Sequence, residues 1–195
     1  MSKRLFSLVM AAGLAFSGAA FAEGSGVPDG PGPNLLLDIA GGTTGQIVID
    51  LLPDVAPKHT DQIVAIAESG AYDNVVFHRV IDGFMAQTGD VRFGKVGGDN
   101  SMAGMGSSDR PDLPAEFSKR KFVRGMVGMA RGSNPNSANS QFFIMLADAP
   151  HLDGEYTIIG HVVSGMDVVD AIKKGDPAAN GLVANPDYIA KATIE

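Results

Sequence analysis

Cysteine is absent from the 195 residues. That excludes disulfides, thiolate zinc sites, a cysteine nucleophile and a lipid-modified cysteine anchor. Basic residues are in the minority, 15 Lys and Arg against 22 Asp and Glu. An acidic surface repels nucleic acid and anionic lipid, so neither is an expected partner. No apolar run after the first 22 residues is long enough to cross a bilayer. Sequence signatures of cofactor, metal and hydrolase chemistry are missing too. The four histidines, at 59, 78, 151 and 161, form no H-x-x-x-H or other ligand cluster. There is no G-x-S-x-G elbow, no phosphate-binding G-x-x-x-x-G-K-[ST] loop and no G-x-G-x-x-G turn. Asp99, Asp109, Asp112 and Glu116 lack the spacing of a calcium loop and read as a solvated acidic stretch. No cofactor is implied.

The start of the chain reads as a processing signal. Lys3 and Arg4 precede an apolar run from Leu5 to Phe21, broken by Gly13 and Gly18, and Ala20-Phe21-Ala22 is an A-x-A cleavage site. Residues 1–22 are therefore expected to be a secretory signal peptide, placing the mature chain in a periplasm or outside the cell, free of the membrane after cleavage. Cleavage would leave 13 basic and 22 acidic residues, a net charge of −9 with His neutral. Lack of cysteine suits an oxidising compartment, because a core of this size needs no staples. Hydrophobic content of 45% and charged content of 19% argue for a globular domain rather than disorder.

Residues 23–33 are rich in Gly and Pro and read as a flexible lead; 34–195 are expected to form one domain. Leu35 to Ile39 and Gln46 to Leu51 form a hairpin around Gly41 to Gly45. Pro57 opens a helix through about Ser69, with Ile63, Ile66 and Ala67 on its apolar face and Gly70 as its stop. Further strands are expected over Gly125 to Ala130, Gln141 to Leu146, Tyr156 to Val163 and Tyr188 to Ile194, with a second helix over Met166 to Lys174. The Gly-rich stretch after Asp90 is longer than an ordinary connection, which marks it as functional or mobile. Short strands without βαβ alternation predict a mainly β fold: a closed eight-stranded antiparallel barrel capped by two α-helices.

Phe77 to Asp90 is the most informative stretch. Phe77 to Ile81 suits a strand, and Asp82-Gly83 signals a turn. A two-residue loop would set Arg79 opposite Ala86. A three-residue loop over Asp82 to Phe84, with Gly83 at positive φ, sets Arg79 opposite Gln87 and Ile81 opposite Met85. The second is preferred, since it gathers a cation, an amide and a thioether on one face, where a plain core face would choose neither Arg nor Gln. His78, on the other face, reads as a hydrogen-bonded structural histidine.

Phe77-His78-Arg79, Gly83-Phe84-Met85-x-Gln87-x-Gly89-Asp90, Asn139-Ser140-Gln141-Phe142-Phe143-Ile144 and Leu152-Asp153-Gly154 occur in order. Together they resemble the cyclophilins, the peptidyl-prolyl cis/trans isomerases, over Asn34 to the C-terminus. The resemblance implies the same barrel fold. It also implies catalytic donation by Arg79 with Gln87, a proline pocket of Phe84, Met85, Phe143 and Leu152, and substrate-backbone contacts at Gln87, Gln141, Ala130 and the backbone of Arg131. Arg131 stands where many members have Asn, and the loop from Arg131 to Ser140 is one residue longer than in eukaryotic members. His151 stands where cyclosporin-sensitive members have Trp, and Tyr156 where they have His, as in the bacterial exported branch. Weak cyclosporin binding is therefore expected, because an indole that packs and donates is lost.

The residues suit that reaction on physical grounds as well. Arginine does not act as a proton donor, but it offers hydrogen bonds in a fixed fork. Rotation about an X-Pro bond breaks nothing covalent; its barrier of about 20 kcal/mol is amide resonance. The twisted prolyl nitrogen regains a lone pair, and a donor aimed at it favours the transition state over either planar form. Alternation along Gln141-Phe142-Phe143 puts Gln141 and Phe143 toward the site and Phe142 toward the core. The expected partners are unfolded or Pro-containing polypeptides, acted on by a monomer. The second reading is a chaperone module that grips Pro-containing segments and catalyses incidentally.

Overall fold

The computed structural model describes residues 28–195; residues 1–22, expected to be a signal peptide, and residues 23–27 of the lead lie outside the described residues. The described part of the lead rests on the domain. Gly30 N–H donates to the Asp50 carboxylate at 3.0 Å, and Leu51 N–H donates to the Pro33 carbonyl at 3.0 Å.

Strands β1 (Asn34–Ala40) and β2 (Gly45–Leu51) form the expected hairpin. Helix α1 (Pro57–Glu68) runs from Pro57, which lacks only an N–H that would be unpaired anyway, to Gly70 at φ 72°. Its buried face carries Ile63, Ile66 and Ala67. The α1 N-terminus is capped from a distance: the Glu116 carboxylate accepts the N–H groups of Lys58 (3.3 Å) and His59 (3.2 Å). The same carboxylate lies 2.7 Å from Nδ1 of the fully buried His59. Burial raises the Glu116 pKa, but these hydrogen bonds outweigh it and hold the carboxyl below its ordinary value; burial pushes the His59 imidazole down. Glu116 is thus no solvated loop acid, and Asp112 also accepts a bond, from Asn139 Nδ2 at 3.0 Å.

The remaining elements are β3 (Val75–Val76), β4 (Arg79–Ile81), β5 (Met85–Thr88), β6 (Met126–Met129), β7 (Phe142–Met145), β8 (Ile158–Ser164), α2 (Met166–Ala171) and β9 (Tyr188–Ile194). All strand pairings are antiparallel, in one curled sheet of nine strands ordered β3-β9-β1-β2-β8-β6-β7-β5-β4. The count exceeds the expected eight because Val75–Val76, ahead of the strand expected over Phe77 to Ile81, forms a short strand of its own, and the expected one begins only at Arg79. Val75–Val76 pairs with β9 at one end of the sheet, and after Phe77-His78 the chain joins β5 at the other end. Curling brings these ends together without a ladder between β3 and β4; the Thr88 hydroxyl donates to the Val76 carbonyl across the seam at 2.9 Å. The mainly β, helix-covered architecture is as expected, as a half-barrel rather than a closed ring of ladders; segment 175–183 covers the free edge of β4, with Val80 N–H donating to the Gly181 carbonyl at 2.8 Å and Gly175 N–H to the Val80 carbonyl at 2.9 Å. Helix α2 stops at Ala171, short of Lys174. Ile172 turns to ψ 132°, and Lys173 N–H donates to Asp187 at 2.9 Å.

Alternation gives the sheet two apolar faces. Val80, Ala86, Val127, Phe142 and Ile144 point inward, into a core shared with α1 and with Met166 and Val169 of α2. Met85, Met126, Phe143 and Met145 point the other way, into a smaller cluster with Phe122 and Leu152. The second face carries the site.

Candidate active site

The β4–β5 loop has the longer form: Gly83 sits at φ 66°, and Arg79 pairs with Gln87 and Ile81 with Met85. The register continues across the sheet. Gln87 pairs with Phe143 on β7, and Phe143 with Gly128 on β6, so Arg79, Gln87, Phe143 and Gly128 form one row on one face. Phe142 faces the inner core and Phe143 the site face, as alternation requires.

Around this row lies a slot of about 210 Å³, lined by Arg79, Phe84, Met85, Gln87, Ala130, Arg131, Phe143, Leu152 and Tyr156. Met85, Phe143 and Leu152 are buried in its wall. The Phe143 ring is held on two sides: Phe122 stacks behind it (centroids 5.7 Å, interplanar angle 27°) and Tyr156 meets it edge-on (5.8 Å, 85°). The Arg131 guanidinium covers the Tyr156 ring at 4.4 Å, and its Nη2 donates to the Glu155 carbonyl at 2.9 Å. His151, expected among the contact residues, stands outside the slot, exposed and 5.6 Å from the Phe84 ring.

The Arg79 guanidinium closes one end of the slot. Nη1 donates to Gln87 Oε1 at 3.3 Å and approaches the Met85 sulfur at 3.8 Å. Nε donates to the Asn180 carbonyl and Nη2 to Asn180 Oδ1, both at 3.1 Å. Among the described residues, one of its five N–H groups, on Nη2, has no partner and one on Nη1 meets only a thioether, a weak acceptor. Donor capacity is therefore left for a molecule in the slot. Burial pulls the Arg79 pKa below its ordinary value, with Tyr156 acting in the opposite sense, and arginine still keeps its proton at neutral pH.

Gln141, expected to contact the substrate backbone, is also tied into the protein's own hydrogen-bond network. Its Nε2 donates to the carbonyls of Gly104 (3.0 Å) and Gly106 (2.7 Å), which uses both amide hydrogens, and its Oε1 accepts from Gln87 Nε2 at 3.0 Å. It orients Gln87, and through it Arg79, and lines a neighbouring cavity of about 360 Å³ rather than the slot. The buried Asp90 grips the same loop from its other side, accepting the N–H groups of Gly104 (2.7 Å) and Gly106 (2.8 Å). The long Gly-rich stretch is thus a braced wall of the site. His78, expected to be a hydrogen-bonded structural histidine, is buried, and burial pushes its pKa down against the opposing influence of Asp90 and the Val76 main chain.

The family model described as "Cyclophilin type peptidyl-prolyl cis-trans isomerase/CLD" matches residues 36–194. The chain belongs to this family. It is similar to a Brucella suis biovar 1 protein named "Probable peptidyl-prolyl cis-trans isomerase", 63% identical over 153 residues, covering 77% of this chain and 78% of the relative. A peptidyl-prolyl cis-trans isomerase of Arabidopsis thaliana is 41% identical over 130 residues, covering 67% and 78% of the two chains. The fold resembles a cyclophilin of Cryptosporidium parvum crystallised in the presence of the dipeptide Ala-Pro, with TM-score 0.70, 26% identity, and coverage of 83% and 98%. It also resembles cyclophilin AquaCyp293 from Hirschia baltica, with TM-score 0.69, 24% identity, and coverage of 85% and 74%. The chain is accordingly a peptidyl-prolyl cis-trans isomerase of the cyclophilin type.

Three residues that shape this cyclophilin's site carry no signal in the sequence. Phe122 and Gly128 support Phe143 from beneath, and Asn180 holds Arg79 from 101 positions away. Asn180-Gly181 is legible as a turn, and Asn180 does adopt φ 53°, but nothing local ties it to Arg79. Asn180 is a positioning residue. Asn180→Gly keeps the positive φ and the backbone carbonyl acceptor and removes the side-chain carboxamide, and with it the Oδ1 acceptor of Arg79 Nη2. It is expected to lower kcat about tenfold with KM within about twofold. Asn180→Asp, which restores an acceptor there, is expected to recover most of the loss. Equal kcat for Asn180→Gly and the wild type, in steady-state isomerase kinetics, would remove Asn180 from the mechanism.

Proposed function

We propose that this cyclophilin accelerates X-Pro rotation in exported, folding polypeptides, with Arg79 donating to the prolyl nitrogen of the twisted transition state. The observation that carries the reading is the guanidinium in the wall of a slot it shares with Phe84, Met85, Phe143 and Leu152, braced by Gln87 and Asn180 while retaining free N–H capacity. The slot suits a proline ring, which is apolar and brings no N–H to satisfy. Phe84, Met85, Phe143 and Leu152 enclose it, and a site drained of water favours the less charge-separated twisted amide. Charge alone would not suffice: the donor must be aimed before the substrate arrives, which the Asn180–Arg79–Gln87–Gln141 chain of hydrogen bonds supports. The Ala130 N–H donates to the Gln141 carbonyl at 2.9 Å, so the Ala130 carbonyl and the Arg131 main chain are the groups assigned to the substrate backbone in an extended form, and the enzyme acts as a monomer. Residues 23–195 are expected to accelerate proline-limited refolding of a model substrate; no acceleration at micromolar enzyme would sink the proposal.

Export rests on the charged start, the apolar run and the A-x-A site of residues 1–22. Fractionation of cells expressing the full chain is expected to yield a protein beginning at Glu23 outside the cytoplasm. An intact Met1 in the cytoplasmic fraction would end that part of the proposal. Weak cyclosporin binding is proposed from His151, an exposed imidazole against Phe84 with less surface and no indole N–H to offer. A calorimetric titration saturating in the nanomolar range would contradict it.

A further inference from the structure

A second groove of about 340 Å³ lies beyond Arg79, on the side away from the proline slot. It adjoins the slot, since Arg79 and Gln87 line both. Its rim is unusual. Met105 is 78% exposed and Leu182 54%, the two most exposed large apolar side chains among the described residues, and both line this groove. Scattered exposed apolar residues need no explanation, but two on one groove beside an active site do.

Neither sits on loose chain. Met105 lies between Gly104 and Gly106, whose N–H groups are both bound by Asp90 and whose carbonyls are both bound by Gln141. Leu182 N–H donates to the Ala179 carbonyl at 3.1 Å, and its own carbonyl accepts from Asp176 N–H at 3.0 Å. Their main chains are therefore fixed in advance, and ordering them costs little when a ligand arrives. Beneath them the buried His78 ring packs on Gly104, where a Cβ would come within 3.2 Å, so the floor is filled rather than hollow.

We propose that this groove is a second subsite of the enzyme, taking an apolar side chain on the residue that follows the proline. The inference rests on the isomerase reading of the slot. With the prolyl nitrogen at Arg79 and the chain before it along Ala130 and Arg131, the chain after the proline leaves past Arg79 into the groove. An apolar side chain there is buried against Met105 and Leu182, whereas glycine or a carboxylate gains nothing from the contact.

The test is cis/trans exchange measured by NMR on peptides Ala-Ala-Pro-Yaa-Gly, with Yaa as Leu, Met, Gly or Asp, and on Ala-Xaa-Pro-Gly-Gly with Xaa varied likewise. Wild-type enzyme is expected to show kcat/KM about tenfold higher for Yaa Leu than for Yaa Gly. That ratio is expected to fall to about twofold or less in Met105→Ser/Leu182→Ser, and partway in Met105→Ala alone. A flat Yaa series in an active wild type overturns the subsite, as does a Leu preference that survives the double variant. An apolar preference confined to Xaa and abolished by the double variant overturns the assigned direction. Absence of exchange catalysis on every peptide would instead mark failure of the isomerase reading itself.

Discussion

Arg79→Ala is expected to lower kcat/KM by about two decades or more. The reasoning is differential. If the hydrogen bond from the guanidinium forms only when the prolyl nitrogen pyramidalises, its loss raises the barrier without weakening ground-state binding. KM should therefore move little and kcat carry the loss. Arg79→Lys separates charge from geometry: it keeps a cation but cannot reach Gln87 and Asn180 together with a fork, and most of the loss is expected to remain. Stability is expected to change by no more than about 1 kcal/mol, because Gln87 and Asn180 lie at a wet rim where water replaces the lost donor. Urea unfolding beside NMR exchange kinetics checks both halves. A large loss of stability would make the kinetic result uninterpretable as chemistry, and an unchanged kcat would exclude the mechanism.

Gly128→Ala is the second large effect, and it comes from space rather than chemistry. Gly128 pairs with Phe143 across β6 and β7. A Cβ there would fall 2.6 Å from Phe143 Cζ and 2.7 Å from Phe122 Cε1. Neither ring can yield easily, since each is stacked on the other and Phe143 is also held by Tyr156. Overpacking of this kind costs about 1–3 kcal/mol. The least blocked way out for Phe143 is toward the slot, so activity is expected to fall about tenfold or more as the proline site narrows. Phe122→Leu, which makes room behind the ring, is expected to recover part of both losses in the double variant, a coupling that a double-mutant cycle measures. Wild-type stability and activity in Gly128→Ala would show that the two rings are not tightly held.

The local architecture around Arg79 was legible because it is short-range. A three-residue loop at Asp82-Gly83-Phe84 determines which residue faces Arg79, and the period of two along a strand separates Phe142 from Phe143. Likewise Pro57, the Ile63–Ile66–Ala67 spacing and Gly70 delimit α1 without reference to anything beyond it. What failed was anything requiring knowledge of which segments meet. Glu116 read as a loop acid and is a helix cap 57 positions from its partner His59. Nor does any local pattern show that the Gln141 amide hydrogens bind the carbonyls of Gly104 and Gly106.

By itself, then, the sequence determined the order and type of most elements, the register of the β4–β5 hairpin and the face on which Arg79, Met85 and Gln87 stand. The tertiary structure alone decided that Val75–Val76 and Arg79–Ile81 lie at opposite ends of one sheet, that Asn180 fixes the guanidinium, and that Met105 and Leu182 share a groove beside it. The division has a physical cause. Turn geometry and side-chain alternation act over a few bonds and leave a periodic trace, whereas closure of a curled sheet joins residues a hundred positions apart through packing, which no local pattern records.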